Sequence, residues 1–222
     1  MTAVAELVIA ADPSAWERIG LTIANGEAQI GPVRLRFIQP HDRHGIVGWG
    51  LADLPGLSRL SGVPGVPGVP GVPGDVDMHE IDGVPTFVAQ PPSGTAPAHR
   101  LGVVGFDHLV VMTSSLERTC AAIEAATGEP LKRVREAGAI RQGFHRLGEV
   151  VVEVVESAQH TGEHAALWGL VWNVADIHEA AAALGPEIVS LPKSAVQPGR
   201  FIASFRESVG LGLPVAMMST NR

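Results

Sequence analysis

The sequence predicts an α+β protein assembled from repeated βαβββ modules, with helices packed outside curved mixed sheets. Two observations carry that expectation. Short strands and single amphipathic helices recur along the chain in one order. The opening and closing strands of three segments also align without gaps. The opening strands read ELVIAADPS from Glu6, HLVVMTSSL from His108 and GLVWNVADI from Gly169. The closing strands read VPTFVAQP, VVVEVVES and LPVAMMST, superimposing Phe87, Glu153 and Ala216.

In chain order, AELVIAA reads as a strand. DPSAWERIG is a short helix opened by an Asp12 cap with Pro13 at its first position. AQIGPVRLRFIQ and GIVGWGLADL read as two further strands, and VPTFVAQ as a fourth. Between them lies GVPGVPGVPGVPG, from Gly62 to Gly74, whose prolines remove donors and whose glycines add backbone entropy. Gly and Pro occupy 17 of the 43 positions from 55 to 97, which marks a loop or tether rather than an element.

From Phe106, FDHLVVMTS is a strand, and SLERTCAAIEAATG a helix with Leu116, Cys120, Ile123 and Thr127 on one stripe. LKRVREA, IRQGFHRLG and EVVVEVVES complete the unit as strands. ALWGLVWNV, the Asp176-capped helix DIHEAAAALG, then EIVSLP, GRFIASFRE and LPVAMMS repeat the order. The division that follows is 1–98, a βαβββ-like module with a Gly/Pro-rich insertion at 55–79, and 99–222, a pair of modules at 106–157 and 166–219.

Composition narrows the function. Of 222 residues 45% are hydrophobic, enough for a real core, and the formal charge of -7 is the wrong sign for neutralising nucleic-acid phosphates. The single cysteine, Cys120, asks for no oxidising compartment, and no stretch approaches the ~18 apolar residues of a membrane span. A cytoplasmic protein with neither a nucleic-acid nor a membrane partner is expected.

These modules, with FDHLVV opening one and GEVVVEVVE closing it, resemble the vicinal oxygen chelate superfamily of glyoxalase I, extradiol dioxygenases, methylmalonyl-CoA epimerase and bleomycin-resistance proteins. The resemblance is good over Phe106 to Ser219, weaker over Ala5 to Gln90, and closest to glyoxalase-like proteins of actinobacteria. It implies two modules curled into an incomplete barrel around a cavity. A divalent metal (Fe, Mn, Ni or Zn) would be held there by one residue from the first and one from the last strand of each module.

Carried onto this chain, the resemblance selects His108 and Glu153 as metal ligands and catalytic groups, whereas Gly169 and Ala216 have nothing to donate. Pairing with the N-terminal module instead would add Glu6 as a third ligand, with Phe87 in the fourth place. Two readings of His108 stand side by side: a metal ligand, and a histidine hydrogen-bonded to Glu153 in a cavity wall. The implied functions are a metal-assisted lyase, isomerase or dioxygenase on a small carbonyl, thioester or catechol-like compound, and a metal-free protein of the resistance type that binds a small-molecule ligand. An unpaired third module would pack within the chain or meet its copy in a homodimer.

Other side chains suit binding by their chemistry. Trp168 and Trp172 offer either a face for a planar ligand or core packing; Arg146 belongs to a basic cluster with Lys132, Arg133, Arg135 and Arg141 that reads as a grip for an anionic substrate or as a solvated sheet face; and Gln197 and Arg200 flank a Pro-Gly turn near the cavity mouth. His160-Thr-Gly-Glu163-His164 matches a zinc-protease pattern in letters, but Gly162 argues against the helix that pattern needs, and His41 to His44 reads as a polar turn. Cys120 on its apolar stripe reads as a core thiol rather than a nucleophile.

Overall fold

Alternating apolar residues fold the chain into two open, mixed sheets placed back to back. The computed structural model describes residues 1–40, 44–55 and 77–220. The GVP repeat, most of the 55–79 insertion and His41 lie outside them.

The first sheet holds β1 (Ala3–Ala10), β2 (Glu27–Ile30), β3 (Val33–Ile38), β4 (Gly45–Ala52), β5 (Met78–Ile81) and β6 (Val84–Val88), in the order β2-β3-β1-β4-β6-β5. Helix α1 (Pro13–Arg18) follows β1, and the Asp12 carboxylate accepts from the Ser14 N–H as expected of a cap. AQIGPVRLRFIQ is a hairpin rather than one strand. Gly31 at φ 57° turns the chain and Pro32 has no ladder donor, so β2 and β3 pair antiparallel. β5 had no counterpart in the expected elements.

The second sheet holds β7 (Val103–Thr113), β8 (Arg133–Ala137), β9 (Ile140–Leu147), β10 (Val150–Glu156), β11 (Ala166–Val174), β12 (Lys193–Ser194), β13 (Phe201–Ser204) and β14 (Val215–Ser219), in the order β12-β13-β14-β11-β7-β10-β9-β8. Helices α2 (Leu116–Thr127) and α3 (Ile177–Leu184) follow β7 and β11. EIVSLP forms no strand; only Val189 makes an isolated bridge, to Phe205.

Both sheets have the same centre. β1 and β4 are antiparallel, with β3 and β6 as their parallel neighbours; β7 and β11 are antiparallel, with β10 and β14 as theirs. β4 therefore occupies in the first sheet the place that β11 takes in the second, instead of closing a single βαβββ unit.

The inner faces share one core. Leu7, Ile9, Trp49 and Leu51 of the first sheet cluster with Leu109, Val152, Leu170 and Trp172 of the second. Trp16 of α1 lies between them, its ring 5.3 Å from Phe37 and 5.9 Å from Trp172, with its indole N–H donating to the Leu211 carbonyl at 3.2 Å. The expected α2 stripe of Leu116, Cys120, Ile123 and Thr127 is buried on this side. Helices thus pack behind each sheet, and the opposite face of the second sheet is left as a cup.

Candidate functional site

Strand alternation carries His108 of β7, Val151 and Glu153 of β10, and Val171 of β11 to the cup face, because Val151 and Val171 both register with His108 and Glu153 lies two residues beyond Val151. The cup has a volume of about 790 Å³, within the range of small-molecule pockets. Gln142, Phe144 and Met218 wall it together with His108 and Glu153.

A β-bulge changes the expected facing at one point. Val171 registers with His108 and Trp172 with Phe106, so Asp107 is an extra residue in β7. Phe106, which unbroken alternation would put on the face of His108, turns into the core, and Asp107 turns to the cup. Sequence reasoning missed Asp107; FDH alone carries no mark of a bulge.

The bulge creates a chain of polar contacts. The His108 Nδ1–H donates to Asp107 Oδ1 at 2.8 Å, and Nε2 lies 3.4 Å from Glu153 Oε2. Asp107 Oδ2 is gripped by Arg200 Nη2 at 2.6 Å. Burial pushes the Asp107 carboxyl up, but the hydrogen bonds from His108 and Arg200 outweigh it and hold the group below the usual carboxylate range. The Gln142 amide N–H donates to the other Glu153 oxygen.

Arg200 is 8% exposed and also donates to Asn173 Oδ1 at 2.6 Å and to the Ser219 carbonyl at 2.8 Å. It ties β11, β13 and β14 to the bulge rather than reaching the cup mouth. Gln197 does line the cup.

Other expectations are corrected. Glu6 sits in the first sheet, 2% exposed, bonded to Arg34 at 2.9 Å and Arg36 at 2.6 Å; its register puts it where His108 stands in the second sheet, not beside His108. Trp172 alternates away from Val171 and is fully buried between Trp16 and Phe205, so it walls no cavity. Trp168 is itself a bulged residue, 50% exposed and outside the cup lining. Arg146 is exposed and donates to the Glu149 carbonyl. His160 meets the His164 carbonyl in a segment without helix, so the zinc-protease geometry does not form. Burial, with Glu117 and Glu124 adding to it, pushes the Cys120 thiol up to about 11, the setting of an inert core thiol.

A resident divalent metal needs three or four protein donors, and the set here stops at two. At the third position a Cβ on Gly169 would lie 2.7 Å from the Pro214 carbonyl oxygen, so no side chain fits. Ala216 packs with Val171 and Met218. Among the described residues no group of three or more His, Cys, Asp or Glu side chains is placed to hold a metal ion. The residues therefore do not fit the metal that the resemblance implies.

Among the described residues no helix is long and apolar enough to cross a membrane. No protein-family model matches the chain, and no curated protein matches it. Solved structures do resemble it. Methylmalonyl-CoA epimerase from Mycobacterium tuberculosis is 12% identical over 55% of this chain and 91% of its own, with a TM-score of 0.46. Streptomyces coelicolor methylmalonyl-CoA epimerase in complex with 2-nitronate-propionyl-CoA is 14% identical over 53% and 97%, with a TM-score of 0.44. A hypothetical protein from Bacillus halodurans is 13% identical over 53% and 94%, with a TM-score of 0.45.

Proposed function

We propose that this protein is a glyoxalase-like isomerase that moves a proton on a small carbonyl or thioester compound held in the cup of the second sheet, using its own side chains rather than a metal. One observation carries the reading: the His108 imidazole has a carboxylate at each ring nitrogen, Asp107 at 2.8 Å and Glu153 at 3.4 Å. Asp107 accepts the Nδ1 proton, which directs Nε2 at Glu153. The pair can then hold one proton between imidazole and carboxylate, ready to be taken from, or returned to, a carbon next to a carbonyl. Arg200 keeps Asp107 ionised and fixed, and the Gln142 amide holds Glu153 toward the cup.

A second reading, metal-free sequestration of a ligand, is favoured by the apolar side of the cup, where Val171, Ala216 and Met218 pack together. One experiment separates the two. Methylmalonyl-CoA, whose α-proton is exchangeable, is incubated with the protein in D2O and deuterium uptake is followed by mass spectrometry, with and without chelator. Exchange that survives the chelator and falls by about 100-fold or more in His108→Ala and Glu153→Gln supports the isomerase. Binding without exchange supports sequestration, and exchange abolished by the chelator overturns the metal-free chemistry.

A further inference from the structure

The cup holds more positive charge than its floor uses. The chain has only two lysines, Lys132 and Lys193, and both line the cup, joined by Arg133 and Arg135. Elsewhere five arginines are engaged by carboxylates, Arg34 and Arg36 by Glu6 and Glu27, Arg118 by Asp82, Arg141 by Glu117 and Glu156, Arg200 by Asp107, while Arg18, Arg100, Arg146 and Arg206 donate to backbone carbonyls. None of the four cup cations has a carboxylate partner among the described residues. In a chain of charge -7, four unpaired cations around one hollow are a local field of the opposite sign.

Their placement is as telling as their number. Arg133 and Arg135 belong to β8 and Lys132 directly precedes it, at one edge of the second sheet; Lys193 belongs to β12, at the other edge. The sheet curls far enough for both free edges to become lips of the same hollow. The Arg133 guanidinium lies over the Phe144 ring at 4.7 Å, a stacking that leaves its N–H edges able to donate. Like charges on opposed lips repel each other, and a dianion between them turns repulsion into attraction on both sides.

We infer that the cup takes a phosphate-bearing small molecule, its phosphate clamped between the β8 and β12 lips and its reacting end toward His108. This rests on the reading of the cup as the ligand site but not on proton transfer within it. A single carboxylate carries one charge and engages one lip; a phosphate ester carries close to two and three terminal oxygens, which suits both.

The test uses the full chain and inorganic pyrophosphate, with acetate as the monoanion control, by isothermal titration calorimetry at low and at moderate salt. Pyrophosphate should bind, more weakly as salt rises, and acetate should not. The double variant Lys132→Gln/Lys193→Gln, both sites exposed, should raise the pyrophosphate Kd by about tenfold or more, while Arg100→Gln leaves it unchanged. Hydrogen exchange should slow at β8 and β12 together when pyrophosphate is added. Absence of binding, an unchanged Kd in the double variant, or protection of one lip alone overturns the clamp. His108→Ala keeps the two readings apart, because it should abolish deuterium uptake yet bind pyrophosphate as the parent does.

Discussion

At the scale of single residues, one histidine lies between two carboxylates and another resists charging. His108 is partly exposed and set between two carboxylates, whereas His145 is 1% exposed, with Nδ1 against the Glu129 carbonyl and Nε2 without a partner. Burial pushes the His145 imidazole down, Lys132 adds to this, and the Glu129 carbonyl and Glu124 oppose it only in part. The folded state therefore keeps it neutral, while the unfolded chain takes up a proton near the ordinary value of about 6.5. As pH falls through that value the unfolded state gains protons first, so this contribution to stability is full above about 6.5 and declines below it. Urea denaturation between pH 7.5 and 5 should show stability falling with pH, with a shallower fall in His145→Gln; equal slopes would contradict the assignment. The resemblance singled out His108 and Glu153, and strand alternation, which is a local pattern, suffices to put both on one face of the second sheet. Asp107 escaped because a bulge is defined only by the partner strand's register.

At the scale of elements, β11 decides what the cup lacks. Gly169 lies so close to Pro214 that the third ligand position implied by the resemblance is closed by backbone, not merely vacant of a donor. Gly169→Ala should destabilise the protein by about 1–3 kcal/mol, since the carbonyl it meets is not a flexible side-chain end. Denaturant midpoints with unchanged slope would measure this, and an unaltered midpoint would show that the strand pair can spread. The helices were legible because caps and stripes are written into a dozen neighbouring residues; α2 starts at the Ser115 cap and buries the expected stripe. The β2–β3 hairpin was legible in principle from Gly31-Pro32 and from the alternation, whose buried positions shift from Ala28 and Ile30 to Val33, Leu35 and Phe37 across the turn. Of the two readings of the β11 tryptophans core packing holds for Trp172, and the choice was not local because the bulge at Trp168 and the burial of Trp172 come from packing against β7 and α1.

At the scale of the whole molecule, the two sheets present their helix-bearing faces to one core, with Trp16 touching Phe37 of one and Trp172 of the other. Neither inner face is covered without its partner, so heat or denaturant should unfold both in one transition. Tryptophan fluorescence and far-ultraviolet circular dichroism should report the same midpoint. Trp16→Ala should lower the stability of both sheets together by about 3–5 kcal/mol. Two separated transitions would refute the shared core. The junction is reinforced at the β5–β6 turn, where Asp82 accepts from Arg118 Nε at 2.7 Å and from the Thr119 hydroxyl, both of α2. The back-to-back arrangement also divides the chain's freedom to change. Substitutions in the core are felt by both sheets at once, while those on either outward face are felt by one. At matching registers one such face carries the Glu6–Arg36 ion pair and the other the His108–Glu153 pair. Two copies of one strand order can thus diverge on their outer faces, one carrying self-neutralised charge and the other an open cup, without renegotiating the interior that both depend on.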